Sequence, residues 1–467
     1  MKLVKINQSR DIKGLNLQTL KNRMVNASIW TFGGNLVGQL IRLVSNLIMT
    51  RLLIPEMFGL MAMANVFIFG LHLMSDVGLN QSLIQNKRTD DAFVNTVWTT
   101  QVLRGFLIWF FALFLAFILL MCHKLGIFPI DSVYSDSRLA PVLSVIGFTS
   151  VIAGFESTKF TLKKRSLQLK ENILIILGSQ LLGIIFMLCY AYVQKNVWAL
   201  VFGGIVSTTL QVLASHLIIE GKRNYFHWNK ESFIDILHYG KWIFISSIMG
   251  FLLSSSDRLL LGAIVDSQTL GYYAIAFLMF SALRDLFANV IHGVVFPALS
   301  ETYRENPEEL KSVFYKVRLP FDVTLIFLTG VLIVSGPAIV SMLYDARYHS
   351  SGWMLQFLAI GLFEVRFRVA GEYFMAIGKP RILNNVIIAS LVILYLVAPV
   401  AYHYFSLKGL ILVIATSPTL ALPLQFYYLK KDNILDWVKE IRVIPILLVG
   451  LLVGYSLNFL LVFIKAL

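Results

Sequence analysis

The sequence has little charge, almost no cysteine and no long polar stretch. Only 14% of its 467 residues are charged, whereas 57% are hydrophobic. The two cysteines, Cys122 and Cys189, lie in or at the end of apolar stretches, without paired spacing or a His/Cys cluster, so we expect no disulfide and no metal site. No Gly-rich phosphate loop of the form GxxxxGKS or GxxxxGKT is present, which argues against ATP hydrolysis. No loop is long enough to fold as a separate domain.

Apolar stretches of membrane-spanning length instead follow one another from Ser28 onwards. A helical span needs about 20 mostly apolar residues. The alternation of apolar and polar residues that a membrane β-barrel requires is absent. The sequence therefore predicts an all-α polytopic membrane protein with about 13 spans. The predicted spans are 28–53, 58–84, 93–122, 139–162, 172–193, 197–219, 240–265, 270–299, 319–344, 352–377, 382–404, 407–429 and 443–464.

Basic residues exceed acidic residues by 40 to 26, and their placement along the chain alternates. Clusters at 163–165, 222–223 and 430–431 lie in alternate loops, together with the polar N-terminus, and the intervening connections carry few positive charges. This is the positive-inside pattern of a membrane protein with a cytoplasmic N-terminus. The net charge of +14 therefore sets the topology and favours anionic lipid headgroups, and it does not predict nucleic-acid binding.

Residues 1–27 form an amphipathic N-terminal segment, which we expect to be cytoplasmic. Its apolar residues, among them Ile12, Leu15 and Leu20, are spaced so that a helix could lie on the inner membrane surface. A solvated tail is the alternative. The segment lacks the short apolar region and cleavage site of a signal peptide, so the first span is expected to be retained.

An internal repeat is indicated at two junctions between spans. In each, a short polar turn is followed by Gly59 or Gly271, two large apolar residues, Ala, one apolar residue and Ala. Six spans separate the two copies, which predicts two six-helix bundles in the same orientation. The predicted segments are the N-terminal bundle at 28–219, a cytoplasmic linker at 220–239, the C-terminal bundle at 240–429, and a loop with an extra helix at 430–467. Chance similarity between apolar segments is the alternative interpretation.

Charged residues inside the spans indicate where a cargo would bind. A charge at bilayer depth costs at least about 2.5–3.5 kcal/mol, so such residues usually face a cavity or each other. In the first span, Arg42 lies on a polar stripe with Asn35, Gln39 and Asn46. Arginine stays protonated and binds phosphate oxygens bidentately. Our candidates for binding an anionic headgroup are Arg42, Arg104, Arg258 and Arg284.

The carboxylates and histidine of the spans have two interpretations. His72 and Asp76, on one face of the second span, could carry a proton or help to bind a cation, and so could Asp257 or Asp285. Alternatively, these acids only neutralise neighbouring arginines. In the tenth span, Glu364, Arg368 and Glu372 have the i, i+4, i+8 spacing of an intrahelical ion network. Arg366 faces elsewhere and is a weaker cavity candidate.

Several short motifs resemble those of bacterial polysaccharide-biosynthesis flippases, which export lipid-linked oligosaccharides. The motifs are RLLIP at 51–55, FG at 58–59, SDVGL at 75–79, LIQ at 83–85, DRLLLG at 257–262, LGYYA at 270–274 and VFPALS at 295–300. Individually they are loose, and their order and spacing make the match. The resemblance covers about residues 24–429 and places the chain in the multidrug/oligosaccharidyl-lipid/polysaccharide exporter superfamily.

The resemblance implies a V-shaped pair of six-helix bundles around a central cavity, in the bacterial inner membrane. It implies a flippase without cofactor or covalent chemistry, and so no enzyme. Its cargo would be undecaprenyl-diphosphate-linked repeat units for O-antigen, capsule or exopolysaccharide, moved from the cytoplasmic to the periplasmic leaflet by alternating access. Its partners would be membrane lipids and a polysaccharide polymerase or other assembly proteins. Family members have twelve or fourteen spans, so thirteen is a departure.

Two other functions fit a polytopic membrane protein. A cation-coupled multidrug antiporter of the same superfamily shares the helix plan, but its cavity should be rich in carboxylates, whereas this one is richer in arginine. A polysaccharide polymerase should carry a sizeable periplasmic loop with catalytic groups. The longest outside connection predicted here, 123–138, has only about 15 residues and no obvious acid/base pair.

Overall fold

The computed structural model describes the backbone of residues 2–86, 88 and 90–466, and the side chains of these residues except 2–21, 24, 235–246, 253 and 465–466. This part of the chain is helical and contains no strand, which confirms the predicted all-α class. The helices are α1 Lys2–Leu52, α2 Pro55–Met74, α3 Leu79–Gln85, α4 Asp91–Lys124, α5 Leu139–Gly154, α6 Thr158–Arg165, α7 Lys170–Val193, α8 Trp198–Leu217, α9 Lys230–Ile264, α10 Ser267–Glu305, α11 Leu310–Leu343, α12 Ser351–Ala359, α13 Leu362–Val365, α14 Arg368–Ala376, α15 Pro380–Leu420, α16 Leu422–Lys431, α17 Trp437–Arg442 and α18 Ile446–Ala466.

Within the described residues, eight helices are long and apolar enough to cross a membrane, or nine if the bent pair α5 and α6 is one span. One of the eight, Pro380–Lys431, is 52 residues long and contains two predicted spans, which meet at Ser406, where φ is 53°. The other predicted spans lie in α1, in α9 and in the broken segment α12–α14. The chain is therefore a multi-pass membrane protein, and the count of thirteen spans stays a prediction.

Helix α1 joins the N-terminal segment to the first predicted span without a break, because its backbone is helical from Lys2 to Leu52. The side chains at 2–21 lie outside the described residues. The helical backbone agrees with the predicted N-terminal helix rather than with a solvated tail. Whether it lies on the membrane surface stays a prediction.

The chain divides into two compact units. The first unit consists of Met1–Leu53 and Leu60–Val265, and the second of Ile54–Gly59 and Asp266–Leu467. Helix α9, which we predicted to begin the C-terminal bundle, therefore groups with the helices of the first unit. The predicted pair of six-helix bundles stays a prediction.

Within the first unit, the helices pack in the order α1, α7, α8, α5, α4. The C-terminal end of α9 is held by the turn Val133–Ser135. The Val133 amide donates to the Val265 carbonyl (3.0 Å), the Ser132 hydroxyl to Gly262 (3.0 Å), and the Tyr134 hydroxyl to Leu259 (2.8 Å). The bonds to Val265 and Gly262 satisfy carbonyls that a helix end leaves without intrahelical partners, and the three bonds together explain why α9 belongs to this unit.

Residues 220–229, predicted as the first part of a linker, form an extended segment that we call the strap. Its alternate backbone amides at Tyr225, His227 and Asn229 donate to side-chain oxygens of Asn95, Thr99 and Thr96, at 3.1, 3.0 and 3.1 Å. The first turns of α4 thus act as the hydrogen-bonding partner that a neighbouring strand would otherwise provide. The second part of the predicted linker is already helical, since α9 begins at Lys230.

The N-terminus of α4 is capped by Asp90, whose carboxylate accepts the amide of Phe93 at 3.1 Å. Arg88 donates to the same carboxylate at 3.1 Å, and this hydrogen bond holds the pKa of Asp90 below its usual value. The carboxylate therefore stays ionised, which favours its position at the positive end of the helix dipole.

In the second unit, α11 packs against α18 and α12, and α10 packs against α12 and α14. The helix that the sequence predicts at 352–377 is divided into α12, α13 and α14. The break between α13 and α14 falls at residues 366–367. The charged residues before and after this break therefore lie on two separate helices.

Candidate functional site

The first unit brings His72, Asp76 and Arg104 together, as their predicted positions on neighbouring spans allowed. The Arg104 guanidinium, which is partly buried, donates to the His72 carbonyl at 2.6 Å and to the Ser75 hydroxyl at 3.0 Å. Its Nη1 atom lies 3.9 Å from an Asp76 oxygen. The His72 ring nitrogen Nε2 lies 3.0 Å from the Ser150 hydroxyl of α5. Asp76 lies just beyond the end of α2 at Met74, so it does not share a face of that helix with His72 as predicted.

The position of Arg104 follows from the end of α2. A helix leaves its last carbonyls without intrahelical partners, and its C-terminal end carries a partial negative charge that favours a cation. Arg104 contacts one of these carbonyls from α4, at the point where Gly78 turns the chain with φ of 69°. Asp76 is also occupied, since it accepts the Gly78 amide at 3.0 Å. Part of the donor capacity of Arg104 is therefore used to hold α2 against α4.

On α9, Asp257 and Arg258 are adjacent and interact. The Arg258 Nε atom lies 3.5 Å from an Asp257 oxygen, and Nη2 donates to the Ser254 carbonyl at 2.5 Å. Asp257 is buried, whereas Arg258 is partly exposed. The guanidinium therefore lies next to a buried carboxylate and retains one accessible face.

In the second unit, Arg284 and Asp285 of α10 form an ion pair with an Nε to Oδ1 distance of 3.0 Å. The guanidinium also lies over the rings of Phe277 and Phe280, with its carbon 5.4 and 5.7 Å from the ring centroids. Ring faces attract a cation and leave its edge free to donate. Arg284 is thus oriented by its own helix while it stays partly exposed.

Arg42 differs from the other three arginines, because it has no acidic neighbour. It is exposed on α1, and no ion pair or hydrogen bond joins it to another described side chain. One turn earlier, the Gly38 carbonyl accepts the amide of Gln180 of α7 at 3.2 Å, which holds this part of α1 in place. The helical period puts Arg42 on the same face as Asn35 and Gln39. All of its donors are available to a ligand.

Each predicted ion-coupling carboxylate therefore lies beside an arginine from the predicted set. Asp76 lies near Arg104, Asp257 near Arg258 and Asp285 near Arg284. This arrangement is the one expected if the acids neutralise neighbouring arginines. It also allows an anionic cargo to displace a carboxylate from its arginine.

A cluster of four buried charges in the second unit was missed. Arg318 donates to both Glu440 oxygens, at 2.6 and 2.8 Å, and to Asp322 at 3.1 Å. Arg366 lies 3.6 Å from an oxygen of each acid. All four residues are at most 4% exposed. Two cations and two anions balance within the cluster, so its evident role is to join α17 to α11 and to the break before α14.

The cluster corrects our interpretation of Arg366 as a cavity candidate, because its guanidinium is buried among these acids and the rings of Phe363 and Phe367. The expected network on one helix also differs. Glu364 and Arg368 still interact electrostatically across the break between α13 and α14. The Glu372 carboxylate instead lies 3.1 Å from the His292 ring of α10, a partner that spacing along one helix could not indicate.

Comparison with known proteins identifies relatives and a common fold. A family model described as polysaccharide biosynthesis protein matches residues 48–352. The lipopolysaccharide biosynthesis protein WzxC of Escherichia coli strain K12 is 22% identical over 346 residues, which are 73% of this chain and 67% of that protein.

Two solved structures share the architecture over most of its length. The lipid II flippase MurJ, in an inward closed conformation, has a TM-score of 0.66 at 12% identity, covering 94% of this chain and 98% of that chain. An inward-facing multidrug resistance MATE transporter has a TM-score of 0.65 at 13% identity, covering 88% of this chain and 95% of that chain. At such low identity, these similarities establish the fold alone.

Proposed function

The chain belongs to the polysaccharide biosynthesis protein family, and from this membership we propose that it flips undecaprenyl-diphosphate-linked oligosaccharide repeat units across the bacterial inner membrane. The direction would be from the cytoplasmic to the periplasmic leaflet, with the N-terminus in the cytoplasm. The chain is a membrane transporter of this superfamily rather than an enzyme. The family match is the observation that carries the proposal.

The arginines supply the chemistry that an anionic cargo needs. A diphosphate that crosses a low-dielectric interior requires fixed positive charge, and a guanidinium offers paired donors to its oxygens. Arg42 has no carboxylate to lose when it binds a phosphate. The other three arginines must each give up a neighbouring acid to bind the cargo. We therefore propose that Arg104, Arg258 and Arg284 bind the diphosphate more weakly than Arg42 and release it readily.

The paired acids give a route to energy coupling. A diphosphate bound by Arg104 competes with Asp76 for the guanidinium, and a carboxylate that loses its partner takes up a proton or a cation more readily. The same exchange applies to Asp257 beside Arg258 and to Asp285 beside Arg284. In the first unit, the His72 carbonyl accepts from the Arg104 guanidinium, and the His72 ring contacts the Ser150 hydroxyl. During alternating access, each of these arginines would then switch between binding the cargo and pairing with its acid.

The cation-coupled multidrug antiporter is the second candidate function. The fold does not discriminate between the two, because the TM-scores to the MurJ and MATE structures are 0.66 and 0.65. The family match and the arginines favour the lipid-linked saccharide. An organic cation would be repelled by Arg42, which no carboxylate neutralises within the described part of the chain.

Reconstitution tests the proposal directly. The purified chain in vesicles should move a fluorescent undecaprenyl-diphosphate oligosaccharide between leaflets, measured as the fraction that a membrane-impermeant quencher reaches. Ethidium, tested in the same vesicles with an imposed proton or sodium gradient, serves as the competing cargo. Gradient-driven ethidium transport without movement of the lipid would establish the antiporter instead.

A further inference from the structure

The first unit contains a cavity of about 340 Å³ whose walls are the first turns of α4, the helix α6 with the turn after it, and residues 220–224 at the start of the strap. Hydrogen bonds fix this last wall. The Asn224 side chain accepts from the Ser157 hydroxyl at 2.9 Å and donates to the Thr158 hydroxyl at 2.7 Å. The cavity is therefore a built feature of the unit.

Cations predominate in the lining. The charged lining residues are Lys159, Lys163, Lys222, Arg223, Asp91 and Glu220. Lys222 contacts both Asp91 oxygens at 2.7 Å, and Lys163 pairs with Glu171 outside the lining at 3.0 Å. Lys159 and Arg223 have no ion-pair partner among the described side chains. These two cations are available to an anion.

The geometry of the two cations suits a phosphate group. The Lys159 ammonium donates to the His216 and Ile219 carbonyls, at 2.8 and 2.6 Å, which uses two of its three donors. The exposed Arg223 guanidinium has its paired donors free, the arrangement that binds two oxygens of one phosphate. A buried lysine on α6 and an accessible arginine at the start of the strap thus line the same cavity from two of its walls.

Large apolar side chains stand exposed on both sides of residues 220–224. Leu217 and Ile218, at the end of α8, are 82% and 61% exposed. Tyr225 and Phe226, on the strap, are 52% and 63% exposed. Apolar and aromatic side chains next to a basic cavity match a membrane interface, where acyl chains meet charged headgroups. A site for a soluble anion would not need this apolar rim.

We infer that this cavity binds the phosphate of an anionic phospholipid, with its acyl chains over Leu217 and Ile218. The volume exceeds that of one phosphate and lies at the low end of small-molecule sites, which are about 300–1,000 Å³. It therefore suits a phosphate with an attached glycerol, as in phosphatidylglycerol. The inference does not depend on the proposed flippase activity, since it concerns a lipid that is bound and not moved.

Native mass spectrometry of the purified chain tests this inference. The wild-type chain should retain phosphatidylglycerol in preference to phosphatidylethanolamine. The variant Lys159→Gln/Arg223→Gln should bind phosphatidylglycerol roughly tenfold or more weakly, because it loses both cations that are available to the phosphate. Lys230→Gln removes a charge just beyond the strap without touching the cavity, and should change the affinity by less than about twofold. If the double variant fails to fold, the single variant Arg223→Gln replaces it, since Arg223 is exposed.

Further measurements separate the possible sources of the phosphate. Leu217→Ser/Ile218→Ser should also weaken phosphatidylglycerol binding, because the acyl chains lose their apolar contact. Equal retention by wild type and the charge variant would overturn the inference, as would equal retention of both phospholipids. Inorganic pyrophosphate or undecaprenyl diphosphate that binds the cavity where phosphatidylglycerol does not would also overturn it, in favour of a soluble anion or of the cargo. Lipid retention is measured without transport, so failure of the flippase proposal would leave this result unchanged.

Discussion

Gly59 and Gly271 each lie against the first turn of the other's helix. A Cβ atom added to Gly59 would lie 2.8 Å from the Gly271 amide nitrogen and closer still to the Ser267 carbonyl. One added to Gly271 would lie 2.5 Å from the Pro55 carbonyl carbon. Each glycine thus contacts the residue four positions before the other. Equivalent positions of a parallel repeat could make such a reciprocal contact between the starts of α2 and α10, and the repeat itself stays a prediction.

The close approach predicts that even alanine is costly at these two positions. Gly59→Ala and Gly271→Ala should each destabilise the chain by about 1–3 kcal/mol, because the added methyl group meets backbone and not a flexible side chain. Thermal unfolding in detergent measures the effect. Gly293→Ala is the control within α10, since no atom lies within 4 Å of its added Cβ. Equal midpoints for all three variants would show that the helices separate at no cost.

Arg42 should be required for transport and not for folding. Arg42→Ala should reduce flipping of the lipid-linked oligosaccharide at least tenfold while abundance and thermal midpoint stay unchanged, because no other described side chain depends on it. Arg42→Lys should keep part of the activity, since lysine retains the charge but loses the bidentate geometry. Normal flipping by Arg42→Ala would remove Arg42 from the cargo path.

Arg104 should affect stability as well as transport. Arg104→Ala leaves the His72 carbonyl and Asp76 without their cation, which should cost about 1–3 kcal/mol. The thermal midpoint should therefore fall together with flipping, in contrast to Arg42→Ala. A wild-type midpoint for Arg104→Ala would show that its hydrogen bonds to α2 contribute nothing to stability.

The buried charge cluster predicts a large loss of stability from a single change. Glu440→Gln leaves Arg318 and Arg366 buried with one carboxylate, which should cost about 3–5 kcal/mol. Lys439→Gln, at the adjacent and exposed position, is the control and should cost less than about 1 kcal/mol. Thermal unfolding compares the two variants, and similar midpoints would contradict the structural role of the cluster.

The predicted orientation can be tested with cysteines on either side of the membrane. Lys230→Cys should be protected from an impermeant thiol reagent in intact cells, whereas Lys195→Cys, between α7 and α8, should react. Both residues are exposed, and the background needs Cys122 and Cys189 replaced by alanine, since both are free thiols. Labelling with the opposite pattern would reverse the topology.

The sequence predicted the helices and some of the local relationships well. Apolar runs specify helices in a membrane because the backbone must satisfy its own polar groups there. The two similar junctions singled out Gly59 and Gly271, and each of these lies against the other's helix in the structure.

Long-range partners and broken helices were not predictable from spacing. Arg318 and Asp322 are four residues apart, which is visible in the sequence, but Glu440 lies 122 residues after Arg318. The break at residues 366–367 is not visible in the spacing either, and Arg366 at this break is buried between Asp322 and Glu440. The strap was predicted only as a linker. Its hydrogen-bonding partners are three polar side chains at the start of α4, and sequence spacing does not indicate such partners.

The strap has a consequence for which substitutions the family can accept there. Asn95, Thr96 and Thr99 bind its backbone amides, so the identities of Tyr225, His227 and Asn229 contribute nothing to these three hydrogen bonds. As far as these three bonds are concerned, any residue with an amide hydrogen can stand at the alternate positions, whereas proline cannot. The sequence is therefore constrained in α4 instead, because apolar residues at these three positions would leave three backbone amides of the strap without acceptors. Comparison of relatives should find no proline at the alternate strap positions and little variation at Asn95, Thr96 and Thr99.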